Sequence, residues 1–357
     1  MSDLSNTMRA WYYDGLGTPR KVLKLRNDLP APTISKGNSL LVRVSHCALN
    51  PVGAVTMATV PSFMRKCTAV PEIDFSGVVV AAGPSAPSNF AVGTKISGTY
   101  TVATSRSGIG ALAEYVEISE ETAGFAKAPE GLGMAEVAGL QCAGQTAVAM
   151  CEAAGVKKGD RVLINGASGG VGTMVVQVAK AMGAAEVVAV CSERNAELVK
   201  SLGADEVGLS SFPEEIQEGL TVAKIIDYRT HDPLTDYLKE KYSVRPFDAI
   251  LDTVGVQALY KKSPDYLKED SVHVNIGIND GLKSFVRWGM NAALPQALGG
   301  VPRKYTMFNT VLDMRMAGVV VKLAEEKKLK PVVDKVYEME DTLEVCSIQL
   351  WLKCSED

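Results

Sequence analysis

Apolar and polar positions change rhythm at about Glu136. Before it, short β-branched runs at Leu40 to Val44, Gly77 to Ala82 and Glu114 to Ile118 are broken by Gly and Pro. Those spacings predict small antiparallel strands. After it, strands are predicted at Arg161 to Asn165, Glu186 to Cys191, Phe247 to Asp252 and Ser271 to Ile278, and helices at Val171 to Met182 and Asn195 to Leu202. In the first of these helices Val171, Val175, Val178, Ala179 and Met182 recur at helical spacing and form one face to lay on a sheet. Alternation of this kind predicts an α/β region with a parallel sheet wound by helices. The stretch from Trp288 to Pro302 fits neither a clean strand nor a clean helix, and reads as a packed connection, a pocket wall or a subunit contact.

Length and charge narrow the class. A chain of 357 residues exceeds one ordinary core and suggests two domains, and its 46% hydrophobic content can bury both. The net charge of −4 offers no cationic field for a phosphate backbone, which argues against nucleic acid as a partner. Met1 to Ala10 lacks a basic segment followed by an apolar core, and no apolar run reaches the roughly 20 residues that span a bilayer. A cytoplasmic protein without a membrane span is expected. The seven cysteines (47, 67, 142, 151, 191, 346 and 354) form no C-x-x-C pair, and only His46, His231 and His273 provide imidazoles, so no metal site is expected.

The sharpest motif is Gly166-Ala167-Ser168-Gly169-Gly170-Val171-Gly172, between a predicted strand and an apolar-faced helix. A dinucleotide pyrophosphate needs a tight turn, close backbone approach without Cβ atoms, and free N–H groups at a helix N-terminus. Gly169, Gly170 and Gly172 supply these. Discrimination between NAD and NADP falls at the end of the second strand, where an acidic side chain binds the ribose 2′-hydroxyl and repels a 2′-phosphate. Here Cys191 stands at that position, followed by Ser192, Glu193, Arg194 and Asn195. Ser192 can donate a hydrogen bond and Arg194 a charge-assisted one, so NADPH is the expected cofactor despite the nearby Glu193.

With these motifs stand Leu49-Asn50-Pro51-Val52, Asp74 to Val79, Ala111 to Val116, Gly144 to Ala147, Leu202 to Val207 and Asp252-Thr253-Val254-Gly255. In this ordered set the chain resembles the zinc-free quinone oxidoreductase branch of the medium-chain dehydrogenase/reductase superfamily, the group that includes zeta-crystallin. The likeness runs from about Met8 to Thr342. It implies a Rossmann doubly wound parallel sheet, residues 138–305, inserted in a GroES-like β-rich catalytic domain formed by 1–137 and completed by 306–357. It implies a catalytic pair, Asn50 near the nicotinamide ribose and Thr146 near the nicotinamide. The cofactor set it implies is Ser168, Gly169, Gly170, Val171 and Gly172 on the pyrophosphate, Ser192, Arg194, Asn195 and Tyr228 around the 2′-phosphate, and Gly255 and Gly277. Several relatives have a lysine where Asn195 stands, so one phosphate charge partner is missing. Zinc-dependent alcohol dehydrogenases of the same fold place a cysteine at the position of Asn50 and a His-Glu pair near Asp74, and neither is present here.

The implied reaction is hydride transfer from NADPH to a quinone or another conjugated carbonyl compound, as in an enoyl reductase, by a homodimer or a monomer. No general acid is assigned: between Asn50 and Asp74 the chain has the hydroxyls of Thr56, Thr59, Ser62 and Thr68 but no tyrosine or histidine, so water is the expected proton donor. The same motifs are compatible with an NADPH-binding structural or regulatory protein of little turnover.

Two departures stand out. Eighteen residues, Gly208 to Ile225, separate Val207 from Ile226, and rejoining those two restores the family string through Asp227 and Tyr228. A short retained intron translated in frame and a natural surface insertion both account for this, and either is expected to push Tyr228 aside. After Thr342 the glycine-lysine turn and closing strand of the family are replaced by a glycine-free, charged terminus, which predicts an open sheet edge.

Overall fold

A computed structural model describes residues 5–66, 68–205, 225–226, 228, 233–278, 282–307 and 312–346. Contacts divide the chain into two compact units, one of Met1–Gln145, Val311–Glu326 and Pro331–Asp357, the other of Thr146–Thr310 and Lys327–Lys330.

The first unit is β-rich. Strands β1 (Thr7–Tyr12) and β2 (Lys24–Pro30) pair antiparallel. Strands β3 (Leu40–Ala48), β4 (Asp74–Ala82), β5 (Lys95–Tyr100), β6 (Tyr115–Ile118) and β7 (Ala123–Lys127) make an antiparallel sheet in the order β6-β3-β4-β5-β7. The three runs expected to be strands lie in β3, β4 and β6. Leu40, Val42, Phe75, Val79, Ile96, Ile118 and Phe125 build its core, each fully buried large apolar side chain contributing about 1.5 to 3 kcal/mol. At the β3/β4 end, the chain leaves β3 through Asn50 into the helix Pro51–Thr59 and returns through Glu72 into β4. This geometry brings Asn50, Glu72 and Asp74 together.

The second unit is the expected doubly wound sheet. Strands β8 (Arg161–Asn165), β9 (Glu186–Val190), β10 (Ile225–Ile226), β11 (Phe247–Asp252), β12 (Leu267–Asn275) and β13 (Lys304–Met307) are all parallel, in the order β10-β9-β8-β11-β12-β13. Val162, Leu163, Ile164, Val187, Val188, Ala189, Ile250 and Leu251 are fully buried. Such continuous apolar runs mark strands covered on both faces. The winding reverses between β8 and β11, and the crevice outside the carboxyl ends of those strands is where such sheets take ligands.

Ile226 is buried and pairs with Val190, so a short strand joins the sheet at the end of the insertion. Most of the insertion, 208–224, lies outside the described residues, as does the terminus from 347 onward. Trp288 to Pro302 straddles two structures: a helix, Leu282–Ala293, and a short turn at Gln296–Leu298 that ends on Gly299 at φ 90°. Pro295 separates them, which is why no single period fits the stretch.

Candidate active site

The cofactor motif follows from close packing. β8 ends at Asn165, and Gly166 turns the chain at φ 77°, where a Cβ would stand 2.5 Å from Thr253 Oγ1. Gly169 precedes the helix Gly170–Ala181, whose first N–H groups have no carbonyl one turn earlier to bond. A Cβ on Gly172 would lie 2.1 Å from the Gly166 carbonyl oxygen, so this glycine lets helix and strand close together. Gly170 has open space around its Cβ position, and both Gly169 and Gly170 are exposed, with Val171 half-buried. Gly172 serves the scaffold, while Gly169 and Gly170 leave a bare, donor-rich surface that fits an anionic pyrophosphate.

Beside it, three of the expected residues meet. Asn195 Nδ2 donates to Ser168 Oγ and to Ser192 Oγ, each at 3.1 Å. Ser192 is buried, Arg194 is exposed, and the side chain at the β9 exit, Cys191, is buried. Glu193 is the nearby carboxylate and is exposed. Tyr228 stands on the surface beyond β10, 41% exposed.

Gly255 and Gly277 press their loops together: at Gly255, φ is 92° and a Cβ would meet the Gly277 carbonyl oxygen at 2.5 Å. Asp252 organises this corner, and motif reasoning gave it no role of its own. Its Oδ1 accepts from Asn165 Nδ2, Val254 N and Gly255 N, and its Oδ2 from Val256 N, all at 2.9 Å. Burial pushes its pKa up, but the His273 imidazole 3.7 Å away and the backbone donors outweigh it and hold it below the ordinary carboxylate value.

In the first unit, Asn50 is half-buried and starts the helix Pro51–Thr59. Its backbone N–H donates to Glu72 Oε2 at 2.7 Å. Its side-chain Nδ2 donates to the Ala48 carbonyl at 3.1 Å and to Asp74 Oδ2 at 3.3 Å. Asp74 Oδ1 accepts from Cys142 N at 2.9 Å, near the start of the helix Gln141–Ala154, and Thr146, one turn further along, is buried. Glu72 is 2% exposed and sits at φ 67°, a left-handed conformation that a non-glycine residue adopts only at a cost of about 1 kcal/mol or more. Gly53 makes room for it: a Cβ there would lie 2.2 Å from Glu72 Oε1. Burial pushes Glu72 up to about 8 and Asp74 up to about 7; the Asn50 N–H opposes the rise at Glu72, and the Cys142 N–H, then Asn50 Nδ2, oppose it at Asp74. Sequence reasoning quoted Asp74 in a motif and passed over Glu72, because neither burial nor a left-handed backbone leaves a local signal.

Among the described residues no three His, Cys, Asp or Glu side chains are placed to hold a metal ion, and no helix is long and apolar enough to cross a membrane.

Comparison with known proteins agrees with this geometry. Residues 36–130 match the alcohol dehydrogenase GroES-like domain family, and residues 170–294 the zinc-binding dehydrogenase family. The chain is 37% identical over 364 residues to the medium chain reductase pydE of Acremonium sp, covering 95% of this chain and 94% of that protein. It is 31% identical over 379 residues to the trans-enoyl reductase poxH of Penicillium oxalicum, covering 94% and 93%. Among solved structures, the quinone oxidoreductase from Coxiella burnetii superposes with a TM-score of 0.74 at 26% identity, over 97% of this chain and 96% of that one. Both sequence and fold therefore make this chain a member of the medium-chain dehydrogenase/reductase superfamily of oxidoreductases.

Proposed function

We propose that the chain is a zinc-independent, NADPH-dependent reductase of α,β-unsaturated carbonyl compounds, an enoyl or enone reductase that also accepts quinones. The observation that carries this reading is the glycine turn Gly166 to Gly172 beside the Ser168–Asn195–Ser192 cluster, with no carboxylate at the β9 exit and the Arg194 cation two residues beyond Ser192. The enoyl reductase and quinone oxidoreductase names of its relatives support the substrate class. The site is read as cytoplasmic chemistry on a small molecule.

When bound, the nicotinamide supplies a hydride. In this reading Ser168 to Gly172 hold the pyrophosphate, and Ser192, Arg194 and Asn195 hold the 2′-phosphate, with Tyr228 at their margin. Asn50 and Thr146 orient the reacting end. Where such groups position reactants, alignment alone removes much of the barrier. A conjugated acceptor suits a site without a Lewis acid, since conjugation already activates the carbon that receives hydride, and donors around it stabilise the developing enolate or phenolate.

The test is a panel of alkenals, enones, enoyl thioesters, ortho-quinones and para-quinones, offered with NADPH or NADH and followed at the nicotinamide absorbance. NADPH oxidation that depends on an unsaturated carbonyl, in protein that metal analysis finds without stoichiometric zinc, is the expected result. Tight NADPH binding with no turnover on any acceptor would reject the catalytic reading.

A further inference from the structure

Asn50 is held from two sides by carboxyl groups, and the number of donors each carboxyl receives decides what the arrangement does. Both hydrogens of Asn50 Nδ2 are engaged, one by the Ala48 carbonyl and one by Asp74 Oδ2. That fixes which way the amide lies: Nδ2 turns inward, and Oδ1, which accepts from none of the described residues, is presented as a hydrogen-bond acceptor. Asp74 receives donors on both of its oxygens, from Cys142 N and from Asn50 Nδ2, an arrangement that favours the ionised acceptor. Glu72 receives a single backbone donor at Oε2. Neither carboxyl has an ion-pair partner among the described residues.

The groups coupled to them are two thiols and a phenol, and the one cation, Arg65, stands against the phenol ring. Cys47 on β3 is half-buried, and its thiol is pushed up by desolvation and by Glu72 and Asp74. Cys346 packs in the same apolar cluster and is pushed up to about 11 by burial and Glu72. The Tyr13 phenol is raised by burial and by Glu72, and Arg65, 4.5 Å from its ring, opposes the rise. Two anions in this apolar pocket repel each other, so the pair is stable with one proton. Donor count places that proton on Glu72.

We propose that Asp74 is a positioning residue, whose carboxylate pins the Asn50 side chain so that Oδ1 faces outward to accept a hydroxyl hydrogen bond, and that Glu72 carries the proton that lets Asp74 remain ionised. This rests on the reading of Asn50 as a residue that orients the reacting end of the cofactor. A hydroxyl group, such as that of a ribose, matches Oδ1; an amide flipped by half a turn would offer it two hydrogens instead.

Side-chain amide NMR on the full chain tests the clamp without turnover. The Asn50 signal pair, identified by its loss in Asn50→Asp, is expected to be protected from solvent exchange and to shift between about pH 6 and about pH 9 as the carboxyl pair titrates. Asp74→Ala should remove the protection; if that variant does not fold, Asp74→Asn is read instead, because its amide must turn a donor toward either Cys142 N or Asn50 Nδ2. Glu72→Gln, which keeps an acceptor for Asn50 N, should keep the protection and reduce the shift to a single step near pH 7, that of Asp74 alone. In turnover with NADPH and an enone, Asp74→Ala or Asp74→Asn should lower kcat by about 30-fold with the acceptor KM within about threefold, and Glu72→Gln should stay within about threefold of the parent near pH 7 and flatten the alkaline limb of its pH profile. Unaltered protection in both Asp74 variants, or a shift whose alkaline step survives in Glu72→Gln, overturns the proposal. A parent protein without turnover rejects the reductase reading while the NMR result still decides the clamp.

Discussion

Two buried aspartates, each 1% exposed at the end of a strand, behave in opposite ways. Asp252, closing β11, accepts from three backbone N–H groups and the Asn165 amide, has the His273 ring 3.7 Å away, and is held below the ordinary carboxylate value. Asp74, opening β4, accepts from Cys142 N and Asn50 Nδ2, raises the neighbouring Glu72 further, and is itself pushed up to about 7 by burial. Burial is the same; the donors differ. A buried carboxyl surrounded by oriented donors is a fixed anion that shapes a loop, whereas one with few donors and an acidic neighbour responds to pH. The first kind builds the corner beside the cofactor motif, and the second surrounds Asn50.

The largest effect expected from breaking this contrast is at Asp252. Asp252→Ala leaves the Val254, Gly255 and Val256 N–H groups without their acceptor and should destabilise the second unit by about 3 to 5 kcal/mol, read as a lowered denaturant midpoint. Loss below about 1 kcal/mol would mean that water replaces the carboxylate. Next comes the glycine turn. Gly172→Ala places a Cβ against the Gly166 carbonyl and should cost about 1 to 3 kcal/mol in stability, while Gly170→Ala, with open space around it, should leave stability within about 1 kcal/mol and weaken NADPH binding. Equal losses of stability in the two variants would contradict the division between scaffold and ligand surface.

Arg194→Ala should weaken NADPH by about 1 to 3 kcal/mol and leave NADH nearly unchanged, measured by calorimetric titration. The same loss for both cofactors would remove Arg194 from the 2′-phosphate site. The smallest effect sharpens the Asp74 side of the comparison. Glu72 binds its proton more tightly folded than unfolded, so between the ordinary carboxyl range and about pH 8 the folded state holds more protons, and its stability falls as pH rises through that window. Glu72→Gln lacks this term. Its stability relative to the parent should therefore improve by about 1 to 2 kcal/mol from about pH 5 to about pH 9, and a difference independent of pH would show that Glu72 is ionised throughout.

The sequence by itself determined the elements with strong periods and the chemistry that depends on glycine. β8 and β11 carry the expected bounds, and the helix after the turn starts at Gly170, one residue before the expectation. Continuous apolar runs and a glycine turn are local consequences of burial on two faces and of close backbone approach, so they can be read along the chain. Tertiary structure alone decided the rest. Ser168, Ser192 and Asn195 converge because β8 and β9 are neighbours in the sheet, and Asp74 meets both Asn50 and Cys142, which is 68 residues away in the chain. Whether a buried carboxyl is an anion or an acid depends on donors brought from distant elements, and no spacing along the chain encodes that count.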